Sequence, residues 1–505
     1  TDGSWVITDP AGRFDTADLE EIQGVHWVMP DDPLTPVPIE AFMKEYYEPG
    51  LLPRILNGET FPPIRSLLSL NRVQPVVKIA AVQRDNERDT VTVTVEVAKA
   101  TRTMLRNGQP VPVTTGVHDL KLFRDGQLVG FKEGALLLDE SGKATITFTD
   151  IRLPRQSEVK TVEFAAYAFN DDGVKSPTHR TPFTLPADLT PVPGKAYLIT
   201  IGVNRYQNPR WNLNYAAPDA EIIRRMLEAR LPPASGYREL ISITLTDEQA
   251  TKANLKSLLD RLAGQQVTPP SAIPNADRLR QATPQDLLIL SFSGHGYVDE
   301  RGIFYAFTHD IGVGTDKTVT PDLLSRALSS DELSQWLRNV DAGNMVMIVD
   351  ACHSAATVGE RFKPGPMGSR GLGQLAYDKG MRILAASQAD DVALESNRIQ
   401  HGLLTYALAR DGLEAFQADF QPVDQRIALR EWLAYGVDRV PKLYEEVRSG
   451  QVSTWGRGED KGFVLHLGDA GRRSLTKRNP YQTPALFDFT RQRRAEVSIA
   501  LPATP

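Results

Sequence analysis

The sequence predicts two architectures in succession. An antiparallel β-sandwich spans residues 75–190, and an α/β domain with a mostly parallel sheet and helices on both faces spans 195–470. Three observations carry this. Residues 75–185 alternate apolar and polar with a period of two, the pattern of strands buried on one face. From Lys195 onward, short runs that are apolar throughout alternate with segments of helical spacing, the pattern of a parallel sheet covered on both sides. Between them Pro186, Pro191 and Pro193 remove backbone donors and fix φ, which rarely happens inside an element.

Residues 1–74 are read as a β-rich segment. Ser4–Thr8 and Gly24–Met29 are candidate strands, and Ile39–Tyr47 is a short helix stopped by Pro49-Gly50. In the sandwich, Thr90–Val97 is a β-branched strand. Leu120–Leu122 and Leu128–Phe131 flank the turn Asp125-Gly126, a hairpin signal. Lys143–Phe148 and Val162–Ala168 repeat the pattern. Strands at this spacing suggest an immunoglobulin-like type.

In the α/β half, Lys195–Val203 is a strand. Asp219–Leu231 is a helix with apolar residues at 222, 223, 226 and 227. Leu240–Leu245, Asp286–Ser293, Met345–Val349 and Met381–Ala386 are strands. Thr251–Leu262, Leu323–Leu337, Leu403–Leu413 and Ile427–Val447 are helices, and Phe463–Leu467 is a last strand. Residues 471–505 are read as a basic, solvated tail on account of Arg472, Arg473, Lys477, Arg478, Arg491, Arg493 and Arg494.

Composition removes several functions. The net charge of −6 offers no global field for nucleic acid or an anionic membrane. No apolar run approaches the roughly 18 residues of a membrane span. The single cysteine, Cys352, excludes an internal disulfide and a multi-cysteine zinc site. No His-Glu-x-x-His pair or phosphate loop occurs, so no metal site is assigned. The first 20 residues carry Asp2, Asp9 and Asp15 rather than a signal peptide. A cytoplasmic location is expected, although the opening Thr fits a trimmed start.

Two strands end in reactive residues: Ser291-Phe-Ser-Gly-His-Gly296 and Val349-Asp-Ala-Cys-His-Ser354. Open α/β sheets build sites at the carboxyl ends of their strands. If these strands are neighbours, His295 and Cys352 face each other. The imidazole can then take the thiol proton, and a following helix start would lower the thiol pKa. The backbone N–H groups of Gly296 and Cys352 are candidate oxyanion donors. His353, adjacent to the nucleophile in sequence, should point away from it. Asp219 is read mainly as a helix-start acid, with the Asn214-Tyr215 loop a candidate to shape the site.

The paired motifs resemble the caspase-like cysteine peptidases over about residues 195–470. Asp-Ala-Cys-His-Ser is similar to metacaspases and bacterial orthocaspases rather than to animal caspases, although Ala355 stands where metacaspases usually carry Gly. Leu198–Tyr206, with Leu213–Asp219 after it, resembles the family's first strand and loop. Residues 75–190 resemble the β-rich segment that precedes such domains, and residues 1–30 the last blade of a WD-repeat propeller.

The resemblance implies Cys352 as nucleophile and His295 as general base and acid. It implies Asp350 and Asp390 as acidic residues of the S1 pocket, and therefore protein or peptide substrates with Arg or Lys at P1. It implies no organic cofactor, calcium as a candidate activator, and a partner for the β-sandwich. The Gly- and Pro-rich segment 359–373 is expected to be an exposed loop with self-cleavage at Arg370-Gly371. The alternative reading is a catalytically silent scaffold that binds partners.

Overall fold

The computed structural model describes all residues except 1–4, 17–18, 20–21, 23, 57–60, 86–87, 107–108, 157–158, 300, 316, 354–369, 387–394, 397–398, 450–462, 465–483, 491–495 and 503–505. It divides into two compact units, Thr1–Pro191 and Val192–Pro505.

In the first unit, strands Val6–Thr8 and Phe14–Thr16 pair, as do His26–Met29 and Asp32–Pro38. A 3-10 turn, Ile39–Phe42, runs into the helix Met43–Tyr46. Beyond them lie two antiparallel sheets. One has four strands in the order Gln127–Ala135, His118–Arg124, Thr161–Phe169, His179–Thr184. The other has three, Lys143–Arg152, Thr90–Ala98, Val76–Arg84. The inward residues Val91, Val93, Val95 and Val97 join Leu120, Leu122, Val162 and Phe164 in one buried cluster. The period-two pattern is thus the record of two sheets facing a shared core.

The second unit is built on strands β1 (Ala196–Gly202), β2 (Leu240–Thr246), β3 (Leu287–Val298), β4 (Asn344–His353), β5 (Arg382–Ala385) and β6 (Ala485–Asp488). Their order is β2-β1-β3-β4-β5-β6; the first five are parallel and β6 is antiparallel. All twelve residues of β3 are buried, because the central strand is covered on both faces. One face packs on helices α1 (Ala216–Ser235) and α2 (Leu429–Ser449) through Leu198, Ile289, Val346, Ile348, Ile222, Ile223, Trp432 and Leu433.

Four expectations change. Strand β3 runs to Val298 rather than Ser293, and β4 to His353 rather than Val349. Their ends are extended by pairing: Gly294–Gly296 lie in register with Ala351–His353, and Gly296–Val298 pair with Phe304–Ala306. The expected helix Leu323–Leu337 is two helices, Pro321–Arg326 and Ser330–Arg338, parted by Leu328–Ser329. There Ser329 and Glu332 form a reciprocal capping box that starts a new helix.

The remaining two concern loop and tail. Residues 370–373, expected in an exposed loop, open the helix Arg370–Lys379, whose Leu372 is fully buried. Residues 485–488 and 498–500, expected in a solvated tail, are strands. The first forms the sheet edge as β6, and Ser498–Ala500 pairs with Ile427–Ala428. The apolar Val497, Ile499 and Ala500 that follow the basic run are buried. Phe463–Val464 pairs with Glu395–Ser396, outside the main sheet.

Candidate active site

Register is the first determinant of the site. In the parallel pair β3–β4, Ser293 lies opposite Asp350 and His295 opposite Cys352. The pleat places positions 293 and 295 on one face, with 350 and 352 beside them. The expected adjacency of the two motifs therefore holds at the level of backbone register.

His295 is fully buried, and its Nε2 lies 2.7 Å from the Trp211 carbonyl oxygen. A carbonyl only accepts, so Nε2 carries a hydrogen, and in the neutral form of the ring the lone pair lies on Nδ1. The ring is held between Tyr206 and Trp211, each with its centroid 5.3 Å away. The backbone N–H of His295 also donates to the Tyr206 hydroxyl at 3.0 Å.

Both aromatic residues come from the loop after β1, which its asparagines shape. Asn212 Oδ1 accepts from the Tyr206 N–H. Asn208 caps the short turn Pro209–Trp211. Asn204 Oδ1 accepts from the Ala217 N–H, tying the loop to the start of α1. Lys317 places its ammonium 5.7 Å from the Trp211 ring centroid, and burial lowers its pKa.

Gly296 is required by packing. A Cβ there would lie 2.7 Å from Phe304 Cε2 and 3.2 Å from Ala351 Cβ, closer than the strand pairing permits.

Two carboxylates converge beside Ser293 and the start of the helical run Leu403–Glu414. Asp350, within β4, accepts from the Thr405 hydroxyl at 3.0 Å and the Thr405 N–H at 3.3 Å. Asp219, near the start of α1, accepts from Ser293 Oγ at 3.2 Å, His401 Nδ1 at 2.8 Å and the Gly402 N–H. The two acids meet at Gly402, where an added Cβ would lie 2.6 Å from Asp350 Oδ2 and 3.1 Å from Asp219 Oδ2. Gly402 and Thr405 belong to the start of the helical run Leu403–Glu414, and donors at a helix start favour negative charge.

Burial pushes the His401 pKa down to about 4; Arg410 and Arg225 add to that and Asp350 opposes it. The ring is neutral near pH 7, so its contact with Asp219 is a hydrogen bond from a neutral donor rather than an ion pair.

Backbone register thus brings together the positions of His295, Cys352, Gly296 and Asp350 of the expected residues. Asp390 lies outside the described residues, as do 354–369, where a helix start after the nucleophile was expected. Arg370 is the first residue of its helix. The sequence did not single out Tyr206, Trp211, Ser293, His401 or Thr405 as site residues, and Asp219, read mainly as a helix-start acid, also meets Ser293 and His401. Only Ser293, two residues before His295, carried a local signal, since alternation places both on one face. Asp219 lies 74 residues from Ser293 and 182 from His401, so no local pattern reports the meeting.

No curated protein matches the chain. Among solved structures, a pectate lyase from Pectobacterium carotovorum aligns at 13% identity over 27% of this chain and 37% of its own, with a TM-score of 0.12. A 2,6-sialyltransferase from a Photobacterium species aligns at 12% identity over 50% of this chain and 39% of its own, with a TM-score of 0.14. The chain thus spans well under half of either protein, and scores this low carry no argument about fold or activity. Residues 195–428 match the family model described as the caspase domain of the C14 peptidases. That span contains His295, Cys352, both converging acids and the five parallel strands that place them, and it is similar to a caspase domain.

Proposed function

We propose that the protein is a cysteine endopeptidase of metacaspase-like type that cleaves after Arg or Lys. The observation that carries this reading is the register that sets His295 beside Cys352 and Ser293 beside Asp350, with Asp219 completing an acidic floor. His295 Nδ1 takes the Cys352 thiol proton, and the thiolate attacks the carbonyl carbon after the P1 residue. The N–H groups of Gly296 and Cys352 receive the oxyanion. As the C–N bond breaks, the amine leaves with the proton held by His295, and Cys352 remains as a thioester. Water gives its proton to the same nitrogen and attacks the thioester, which releases the acid and restores the thiol.

A P1 guanidinium or ammonium is the partner that two neighbouring carboxylates require, since like charges side by side resist joint ionisation. An acidic P1 would meet repulsion.

Among the described residues, no group of three or more acidic, His or Cys side chains could hold a metal ion. No residue is therefore assigned to calcium, which enters only as an additive in the assays. The two antiparallel sheets of the first unit are proposed as a sandwich that recruits a partner or substrate. Self-cleavage at Arg370-Gly371 belongs to the proposal with one condition: the first turn of the helix must unwind.

The test is hydrolysis of peptides with Arg, Lys or Asp at P1, with and without calcium. Cys352→Ala should abolish turnover, His295→Ala should nearly do so, and His353→Ala should leave substantial activity. Asp350→Ala should sharply reduce cleavage after Arg. Rapid cleavage after Asp by the unmutated protein would overturn the P1 assignment. Labelling of Cys352 by an Arg-based electrophile distinguishes a peptidase from a silent scaffold.

A further inference from the structure

We propose that His401 is a positioning residue of the P1 pocket, orienting the Asp219 carboxylate towards the substrate's cation through its Nδ1–H. The inference rests on reading Asp219 and Asp350 as the pocket floor.

Asp219 arrives from α1 and Asp350 from β4, and their Oδ2 atoms both approach Gly402. Before substrate arrives, mutual repulsion favours turning one side chain away or protonating it. Each acid is opposed in this by donors. Asp350 has the N–H and hydroxyl of Thr405 on one oxygen. Asp219 is held from two sides: Ser293 Oγ approaches Oδ2, and His401 Nδ1 approaches Oδ1. Two donors on different oxygens fix the rotation of the carboxylate plane, which one donor cannot do.

His401 is itself well placed for this. It is 7% exposed. Its backbone pairs with Ser396, while Gly402 pairs with Glu395, so the segment is anchored. The neighbouring Gly402 N–H also donates to Asp219. A neutral imidazole supplies a donor without adding a cation that would compete with the substrate for the same two acids; a lysine or arginine at this position would compete.

The experiment compares five variants with Arg-P1 peptides and with agmatine, a guanidinium without a scissile bond. His401→Asn keeps an N–H the same number of bonds from the backbone as Nδ1, whereas His401→Gln moves it one bond further and His401→Leu removes it. Asp219→Asn and Asp350→Asn report on the pocket itself. Loss of a hydrogen bond to a charged group costs about tenfold or more. His401→Leu and His401→Gln should therefore raise KM for Arg peptides and the agmatine inhibition constant together by about that factor, with kcat changed by less than about threefold. His401→Asn should restore both constants. Should His401→Leu not fold, the Asn–Gln comparison decides alone. Unchanged KM and agmatine binding in His401→Gln, with both weakened in Asp219→Asn, would overturn the role of His401 and leave the pocket standing. Unaltered Arg cleavage in both Asp variants would overturn the pocket reading instead.

Discussion

Replacing Gly402 by alanine adds one methyl group between the two acids. The backbone tolerates it: φ and ψ are −64° and 147°, open to any residue. The side chain is another matter. Its carbon would lie 2.6 Å from Asp350 Oδ2, 3.3 Å from Asp350 Cγ and 3.1 Å from Asp219 Oδ2. Non-bonded carbons settle at about 3.5–4.0 Å, so at least one carboxylate must move by roughly 0.5–1 Å. A misplacement of that size around a bound substrate costs about 10²-fold in rate, equivalent to roughly 2.7 kcal/mol of transition-state stabilisation. Overpacking of a filled interior costs about 1–3 kcal/mol of stability, which a domain of this size survives. The assay is kcat/KM on a fluorogenic Arg-P1 peptide, with parallel alkylation of Cys352 by iodoacetamide, a reagent that makes no use of the P1 pocket. The expected result is a loss of about 10²-fold on the peptide and an unchanged alkylation rate. Full peptide activity would refute the placement of the P1 cation between Asp219 and Asp350. Equal loss in both assays would refute the separation of pocket from dyad.

Acid stability provides a second check. His401 shifts from 6.5 to about 4 on burial, so between those values the unfolded chain binds the proton that the folded chain refuses. This contribution is complete above the unfolded pKa and is lost as pH falls towards the folded one, on the order of 3 kcal/mol in all. Urea unfolding at about pH 7.5 and about pH 5 should show a smaller acid loss for His401→Asn than for the unmutated protein; equal losses would contradict it. Self-processing provides a third. An active preparation should release a fragment beginning at Gly371 that Cys352→Ala does not, and more slowly than it turns over peptides, because Arg370 and the buried Leu372 open a helix. A chain that stays intact under all conditions while cleaving peptides would end this idea.

Local pattern in the sequence was enough to locate most of the strands and helices, and the residues that stand near the ends of two of those strands. Periodicity is a local property: alternation in Thr90–Val97 and the apolar run ahead of Ser291 each report a burial pattern over a few residues. His295, Cys352 and Asp350 stood out as candidates for the same reason, since each lies in a short motif closing such a run. Who meets whom is settled only in the folded chain. Asp219 read as an ordinary helix-start acid until β1 took its place beside β3, which sets the start of α1 over Ser293 and the carboxylate against His401 and Gly402. The loop carrying Tyr206 and Trp211 has no pattern of its own. It acquires its role when β1 and β3 lie side by side and its carbonyl reaches Nε2 of His295. The basic run near the end concealed β6 and Ser498–Ala500, because charge was read as solvation across stretches too short to show a period. Pairing and burial of so few residues are granted by the sheet and core that receive them, and those are assembled from parts of the chain hundreds of residues away.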